Sequence, residues 1–494
     1  MIMKNNIKVF IAAFLLGSVS CSDSYFDINT PSNTATLEQL GMKDLIAPAI
    51  HSTMEGQRSA ELTFGNYAQN FVGQGGGAAA QTTASGLWSQ IYLYVLPNLK
   101  AIKEKAAQEN AVHIMGIADV LTAINLGIAT DTWDNIPYEF ATNGPNENFP
   151  SFNTQEEIYQ LIFNLLNNAI TFLESSDTSG FTLGSSDLIY KGDSQKWLRA
   201  AYTIKARYQL RLVTKGVLNP TEVLSTISNG FNSSSDDFDM FYDEKNINPY
   251  YSAEVLARNT GNAHNDIASQ LVSFMNGDLY PFSSPSLSID PRLPLFAQNS
   301  GANSWKGFVS GSQGVAPDGS PANAQFATDG FYTSIDSPLP YISFAEAMFI
   351  KAEASFLANG GDESSVGSTE ATYSAYLLGI QASMDRYGLS GGDYLSDASI
   401  SVGAPNLMLH HIMKEKYVHN FLNPETFSDL RRYDFSPKVF KGLQIRLEDA
   451  ASESEFAGQW FLRAEYPASE LSRNEANVLA NQKSPVDPVW WDSK

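Results

Sequence analysis

Cysteine is nearly missing from this chain of 494 residues, which carries a single one, Cys21. With one cysteine no disulfide can form within the chain, so a packed core must supply its stability. Basic residues are also scarce, since 31 lysines and arginines face 53 aspartates and glutamates and give a formal net charge of −22. Nucleic acid and anionic lipid repel such a surface, which disfavours binding to either. Beyond the N-terminus, no uninterrupted apolar run approaches the roughly 20 residues that cross a membrane.

The N-terminus has the composition of a secretory signal. Lys4 and Lys8 precede the apolar stretch 9–16, and small residues at 17–20 lead to Cys21. A basic start, a short apolar core and a small-residue cleavage site predict a signal peptide over residues 1–20 that is removed from the mature protein. Its removal takes away two lysines and changes the formal net charge from −22 to −24.

A signal that ends directly on a cysteine resembles that of bacterial lipoproteins, in which the cysteine is acylated and becomes the first residue. The resemblance implies lipidation of Cys21, followed by a polar N-terminal tether over residues 21–36. The sequence departs from the usual signal at Ser18, where lipoproteins commonly carry leucine. Ordinary cleavage that leaves a free thiol near a flexible end is the alternative. Two or more acyl chains suffice for stable membrane anchoring.

Helical periodicity dominates the rest of the chain. Apolar residues recur at three- and four-residue steps in eight segments, which predicts helices. These segments lie near 37–57, 86–108, 111–129, 154–175, 193–216, 341–359, 370–388 and 405–421. Several follow one another across short turns, which indicates stacked helical hairpins of the tetratricopeptide kind, although the sequence has no clean repeat. The prediction is a mainly α fold, with a helical scaffold over residues 37–216 and 341–434.

Loop-rich segments interrupt this scaffold. Residues 58–85 end in a glycine- and alanine-rich stretch and are predicted to form a ligand-facing loop. Residues 217–340 are rich in Ser, Asn, Gly and Pro but also in aromatic residues, which argues against disorder and predicts an ordered, loop-rich, ligand-facing subdomain. Residues 435–494 are predicted to be an irregular C-terminal segment that packs on the scaffold.

Several strings, in order along nearly the whole chain, resemble those of the SusD/RagB family of nutrient-binding outer-membrane lipoproteins. They are the mature start 21–31, the element 130–138 with Trp133, the approach 187–197 to a helix ending near Arg211, residues 290–293, the helix 344–354, and the closing 466–470 with Asn474 and Asn477. One departure is Asn135, which follows Asp134 where the family usually has a glycine before the aspartate.

The resemblance implies a fold and a partner. It implies a helical protein with four tetratricopeptide-like hairpins, on the outer membrane and facing the exterior. It also implies a partner, a SusC-like TonB-dependent transporter that lies beneath the protein. The protein would deliver oligosaccharide or another small nutrient to this transporter.

Glu346 and Glu353 are the strongest candidates for catalysis. They lie two turns apart on one predicted helix, a distance compatible with the 5–10 Å between the carboxyl groups of a glycosidase. Apolar neighbours favour instead carboxylates paired with arginines such as Arg431 or Arg432. The charges of the helix with Arg199, Arg207 and Arg211 are likewise expected to pair with carboxylates.

The sequence predicts no cofactor. The glycines 75–77 lack the Gly-Lys-Ser/Thr of a phosphate loop and are expected to form a pliable loop. The acidic residues Asp236, Asp237, Asp239, Asp243 and Glu244 offer oxygen ligands of the kind calcium takes, but without the order of an EF-hand. A solvated acidic loop is therefore favoured over a structural calcium site. The histidines His410, His411 and His419 show no zinc spacing.

Aromatic residues in loops are the candidates for ligand binding. The apolar face of a sugar ring stacks on flat aromatic rings, and its hydroxyl groups need polar partners. Trp305, in a segment with Asn303 and Lys306, is the first candidate because it is interpreted as the one tryptophan in loop context. The other candidates are Asn66, Tyr67, Asn70, Phe71 and Gln74 before the glycines, then Tyr280 and Phe282.

The sequence therefore predicts a lipid-anchored, non-enzymatic protein that captures oligosaccharide. Two alternatives stay open, a helical glycoside hydrolase and a tetratricopeptide-like envelope assembly lipoprotein with protein clients. Cleavage of a bound ligand would favour the first, and recovery of envelope proteins without glycan binding would favour the second.

Overall fold

Helix α1 shows how apolar spacing produces the elements of this protein. It runs from Met42 to Tyr67 and buries Ile46, Ile50 and Phe64 along one side. The structure is a computed structural model that describes residues 39–77, 81–142, 148–301, 304–445, 447 and 455–493. The predicted signal peptide, Cys21 and the tether 21–36 lie outside these residues.

The fold is mainly α, as predicted. The helices are α1 Met42–Tyr67, α2 Ser85–Ser89, α3 Leu96–Gln108, α4 Val112–Trp133, α5 Gln155–Glu174, α6 Ser194–Thr214, α7 Pro220–Ile227, α8 Ala257–Asn259, α9 Ser269–Met275, α10 Leu293–Phe296, α11 Phe344–Ala358, α12 Glu370–Arg386, α13 Gly392–Ser396, α14 Leu409–His419, α15 Glu425–Arg432, α16 Ala468–Arg473 and α17 Glu475–Asn481. A π-helical turn, Gln90–Val95, joins α2 to α3, and a second, Tyr251–Leu256, precedes α8. Single 3-10 turns lie at Gly184–Ser186, Ser234–Asp236, Ala404–Asn406 and Trp490–Asp492.

All eight predicted helical segments contain a helix of the structure, and neighbouring helices pack as hairpins. The closest pairs are α4 with α5 and α11 with α12, and α3 packs on α4. Their ends carry the expected signals, because Thr154 and Glu157 form a reciprocal capping box at α5. Asp193 caps α6 through the backbone N–H groups of Gln195 and Lys196.

One predicted boundary is corrected by the structure. Residues 58–67, expected to belong to a ligand-facing loop, continue α1 to Tyr67. The helix extends because Ala60, Phe64 and Tyr67 keep the three- and four-residue spacing and are buried. The loop proper begins after α1.

Helix α4 is the apolar centre of the scaffold. By length and composition Val112–Trp133 could cross a membrane, and among the described residues it is the one such helix. Most of its most apolar window, 78%, is buried inside the protein, so it is a core helix of the fold. Gly127 allows a close approach to α6, because a Cβ atom there would lie 2.1 Å from the Tyr208 hydroxyl.

Residues of the C-terminal segment contact this core. The indole N–H of Trp133 donates to the carbonyl of Glu465 (3.1 Å), and the indole N–H of Trp491 donates to Asp131 (2.8 Å). Trp491 is only 1% exposed and lies beside the Arg431 guanidinium, 4.7 Å from its ring centre. Residues more than 300 positions apart therefore share one core.

Two small antiparallel sheets complete the fold. The strands are β1 Phe71–Gly73, β2 Phe238–Met240, β3 Asn265–Ile267, β4 Ala297–Asn299, β5 Ala324–Phe326 and β6 Leu339–Ile342. One sheet has the order β1-β3-β5-β4, and the other pairs β2 with β6. The first sheet positions the loops described next.

Candidate functional site

The four-stranded sheet gathers loops from distant parts of the sequence into one face. Phe71 of β1 pairs with Ile267 of β3, and β5 continues the sheet. We call the segments around it, residues 69–77, 304–316, 441–445 and 455–461, the loop-rich face. They are tied together by contacts such as the bond from the Gln69 amide to the carbonyl of Gln444 (2.6 Å).

Hydrogen bonds tie the glycine loop to its neighbours. Two of its three glycines, Gly75 and Gly76, have φ values of 69° and 86°, which residues with side chains rarely adopt. The Gly75 N–H donates to Asp266 (2.8 Å), and the Gly76 carbonyl accepts from the Gly311 N–H (2.8 Å). A Cβ atom at Gly76 would lie 3.0 Å from the Gly314 nitrogen. Glycine thus permits close docking of two loops.

Trp305 is a partly exposed indole on a well-fixed backbone. Its carbonyl accepts from Asn276 (3.3 Å), and the next N–H, of Lys306, donates to the Asn323 side chain (2.9 Å). Three residues on, the Phe308 N–H donates to the Ile267 carbonyl of β3 (2.9 Å). Among the described residues the Trp305 ring has no stacking partner and its N–H has no acceptor. The arrangement can offer the ring to a ligand without reorganising the backbone.

Gln74 and Phe282 are the other two predicted site residues with accessible side chains. Gln74 is exposed on the glycine loop, and Phe282 is half-buried. The ring of Phe282 packs edge-on against Tyr394, with 6.1 Å between centroids.

The structure buries the remaining five predicted site residues. Tyr67 packs its ring against Phe427 and Phe461 at the end of α1, and Asn66 beside it is 7% exposed. These two side chains therefore lie beneath the loop-rich face, because aromatic residues from the C-terminal third of the chain cover them.

Asn70, Phe71 and Tyr280 are buried for similar reasons. Asn70 is fully buried, with its amide nitrogen 3.4 Å from Glu61. Phe71 faces inward from β1 against Phe326 (6.2 Å). Tyr280 packs on Phe274 with the Lys441 ammonium 4.8 Å from its ring centre. All three support the face from below.

Trp460 is an aromatic residue of this face that the sequence analysis missed. It lies in the irregular segment after residue 454 and stacks on Phe435, with 4.4 Å between ring centroids and 5° between ring planes. Trp305 is therefore not the one tryptophan in loop context. The sequence does contain a signal for Trp460, because this residue lies within 435–494, the segment predicted to be irregular.

The candidate catalytic glutamates lie in buried ion pairs. Glu353 contacts Arg432 (2.6 Å) and Lys416 (3.3 Å), which confirms the expected arginine pairing. Burial raises the pKa of Glu353, but attraction to Arg432 and Lys416 outweighs it and lowers the pKa to about 2. Glu346 pairs with Arg207 (2.5 Å). Both carboxylates are almost inaccessible to solvent, so neither can reach a glycosidic bond.

The other charges of helix α6 behave in the same way. Arg199 pairs with Asp236 (2.8 Å), and Arg211 pairs with Asp131 and Glu425 (2.8 Å each). A cavity of about 30 Å³ lies among these side chains, beside Arg211 and Glu425. It has room for one or two water molecules and none for a sugar.

Four of the five acidic residues considered for calcium have partners within the protein, and Asp236 is the one that pairs with Arg199. Asp237 and Asp239 both pair with Arg386, the latter at 2.8 Å. Asp243 accepts from the backbone N–H groups of its own turn. No group of three or more potential ligand side chains within the described ranges is arranged to hold a metal ion. His419 lies between Ser343 and Ser383 in the core.

Strings of the family resemblance that fall within the described residues make structural contacts. Asp187 accepts the indole N–H of Trp197 (2.8 Å), and Arg292 pairs with Asp290 and Glu415 (2.6 Å each). The Tyr466 hydroxyl donates to the carbonyl of Asn135 (2.6 Å). These bonds fix the scaffold that holds the loop-rich face.

Comparison with known proteins gives one family. Residues 32–467 match the SusD-like family described as "Starch-binding associating with outer membrane". No curated protein matches the sequence significantly.

Solved structures share the fold over nearly the whole chain. A SusD/RagB family protein from Bacteroides thetaiotaomicron is 20% identical with a TM-score of 0.68, over 92% of this chain and 99% of that one. A chitin-binding SusD homolog from Flavobacterium johnsoniae is 19% identical with a TM-score of 0.68, over 91% and 98%. A SusD homolog from Parabacteroides distasonis is 19% identical with a TM-score of 0.70, over 92% and 98%.

Proposed function

Because this chain belongs to the SusD-like family, we propose that it captures neutral oligosaccharides at the outer membrane and passes them to a transporter without breaking a bond. The family match over residues 32–467 is the observation that carries this proposal. The family description names starch, and one structural relative is described as chitin-binding. Both are polymers of uncharged sugar rings. A formal net charge of −22 agrees with such ligands, because it disfavours polyanionic glycans.

The loop-rich face is the proposed binding surface. Trp305 offers a flat ring for the apolar face of a sugar, and Gln74 offers an amide for its hydroxyl groups. Phe282 lies outside the segments that define this face and is a further, half-buried ring that packs on Tyr394. The five buried candidates, Asn66, Tyr67, Asn70, Phe71 and Tyr280, are proposed to hold this face in place rather than to contact ligand.

Attachment to the membrane is proposed to occur through acyl chains on Cys21, with the protein facing the cell exterior. The charge of the mature chain supports this mode, because anionic headgroups would repel the folded domain. A Cys21→Ser protein is expected to leave the membrane fraction.

The proposed partner is a SusC-like TonB-dependent transporter that the protein caps. Exposed apolar side chains on the helical scaffold are proposed as the docking surface, since exposed apolar groups commonly mark interaction sites. They are Leu93, Tyr94, Phe140, Phe149, Leu471 and Leu479, which are 36% to 65% exposed. The Asn477 amide donates to the carbonyl of Phe149 (3.2 Å), so the C-terminal helices and residue 149 are neighbours.

Calorimetric titration with maltoheptaose and chitohexaose tests the binding proposal. We expect at least one to bind, and Trp305→Ala to weaken binding about tenfold or more because a stacking ring is lost. Phe241→Ala removes a ring that is 69% exposed on another segment and serves as the matched control. If the wild-type protein binds neither of the two sugars, the proposal is contradicted.

Co-purification from the native host tests the partner. Replacement of Leu93 and Phe149 by serine is expected to reduce recovery of the transporter, while serine at the exposed Val217 and Val366 is not. Equal recovery with both double variants would remove this surface from the proposal. If the Leu93 and Phe149 double variant instead loses binding to lipid vesicles, this surface contacts the membrane.

A further inference from the structure

Trp460 and Phe435 form a preorganised aromatic stack at the loop-rich face. Their rings are nearly parallel, and one face of the Trp460 indole is covered by Phe435. Phe435 is itself buried and packs on Phe427 at 6.2 Å. The indole is thus held from beneath by two layers of aromatic side chains, while Trp460 remains partly exposed.

The backbone beneath this stack is strained. Asp434 and Phe435, which follow helix α15, have φ values of 49° and 54°. A single left-handed residue is enough to end a helix, and glycine is its usual occupant. A second, bulky residue in that conformation is uncommon and costs on the order of a kilocalorie per mole, and such strain concentrates at ligand-binding sites. Here the bulky residue in the left-handed conformation is Phe435, and its ring supports Trp460.

The polar edge of Trp460 is available for a hydrogen bond. Within the described ranges, its indole N–H donates to no protein group. Three fully buried tryptophans differ, because Trp133, Trp197 and Trp491 each donate to an acceptor at 2.8–3.3 Å. Gln459, next to Trp460 in the sequence, is exposed. An indole face with polar groups beside it matches the apolar face and hydroxyl rim of a sugar ring.

The stack adjoins the segment before the glycine loop. Phe461, next to Trp460, packs its ring on Tyr67 with 5.3 Å between centroids. Two residues beyond Tyr67, the Gln69 side chain is bonded to the carbonyl of Gln444. The segment that carries Trp460 therefore contacts the end of helix α1, seven residues before Gln74 in the chain.

We propose that Trp460, supported by Phe435, is a second stacking site for one ring of a neutral hexopyranose oligosaccharide. The inference rests on the proposed function and adds a contact residue to it.

The test compares Trp460→Ala and Trp460→Phe with the wild-type protein by calorimetric titration of maltoheptaose and chitohexaose. Trp460→Ala is expected to weaken binding about tenfold or more, because the stacking face is lost. Trp460→Phe keeps a ring and is expected to stay within about threefold of the wild type. Trp490→Ala is the control, since that partly exposed indole is covered by the Lys215 ammonium at 5.6 Å.

A second measurement needs no destabilising variant. In the wild-type protein with ¹⁵N-labelled tryptophan, the bound sugar should shift the indole signals of Trp460 and Trp305 and leave that of Trp197 in place. Unchanged binding by Trp460→Ala beside weakened binding by Trp305→Ala would overturn this inference and leave the proposed function standing. Absence of sugar binding by the folded wild-type protein would overturn the proposed function itself.

Discussion

The tryptophans differ in how their polar edge is used. The indole N–H groups of Trp133, Trp197 and Trp491 donate to acceptors in the core. A buried N–H without a partner costs about 1–3 kcal/mol, so these three bonds stabilise the core. Trp305 and Trp460 are partly exposed and donate to none of the residues described, so their N–H groups are available to a ligand.

Buried ion pairs are the second feature at this scale. Glu353 is held by Arg432, Lys416 and the Tyr433 hydroxyl, which donates at 2.6 Å. Glu415 is held by Arg292 and Lys414 in the same manner. Removing one member of such a group leaves an uncompensated charge in the core, which is far more costly than the net contribution of the intact pair.

Glu353→Gln is therefore expected to lower the free energy of unfolding at pH 7 by about 3–5 kcal/mol. The pKa of Glu353 is about 2 in the folded protein, below its value in the unfolded chain, so its ionisation stabilises the fold above about pH 4.5. That contribution disappears as the pH falls from about 4.5 towards 2. The difference in the free energy of unfolding between the wild type and Glu353→Gln should shrink over the same range. Urea unfolding at pH 7, 5 and 3.5 measures this difference.

The exposed Glu104 on helix α3 provides the matched control for this prediction. Glu104→Gln is expected to change stability by less than about 0.5 kcal/mol at each pH. A deficit of Glu353→Gln that stayed constant between pH 7 and pH 3.5 would contradict the assignment.

At the scale of elements, glycines set how closely the helices approach. Gly127→Ala is expected to destabilise the protein by about 1–3 kcal/mol, because its Cβ would overlap the Tyr208 ring and hydroxyl. Gly86 lies in helix α2, and a Cβ atom there would have no neighbour within 4 Å, so Gly86→Ala is expected to stabilise by up to about 1 kcal/mol. Thermal unfolding of both variants checks the pair, and equal effects would refute the packing argument.

The elements also show what the sequence could reveal. The long helices were predictable, because their apolar spacing and caps, such as Thr154, are local signals. The strands of the four-stranded sheet are three residues each and pair across large sequence separations, so no local pattern indicates them. Tyr67 and Phe71 resembled loop aromatics for the same reason. Phe461 and Phe326, which cover them, come from distant segments, and only the fold brings them together.

At the scale of the whole molecule, the last residues complete the core. Trp491→Ala is expected to lower the free energy of unfolding by about 3–5 kcal/mol, since it empties a buried site and leaves Asp131 with one bond fewer. Its neighbour Trp490 is partly exposed, and Trp490→Ala should cost clearly less. Urea unfolding of the two proteins provides the comparison. Similar losses would mean that the C-terminal turn contributes little to the core.

The same closure sets when folding can finish. Asp131 on helix α4 accepts a bond from Trp491, which lies 360 positions later in the chain. A ribosome adds about 5–20 residues per second, so roughly 20–70 s of synthesis separate Asp131 from this partner. The buried contacts of helix α4 are therefore complete only after the final turn has been made. For the exported lipoprotein proposed above this delay is useful, because the chain must cross the inner membrane before it folds.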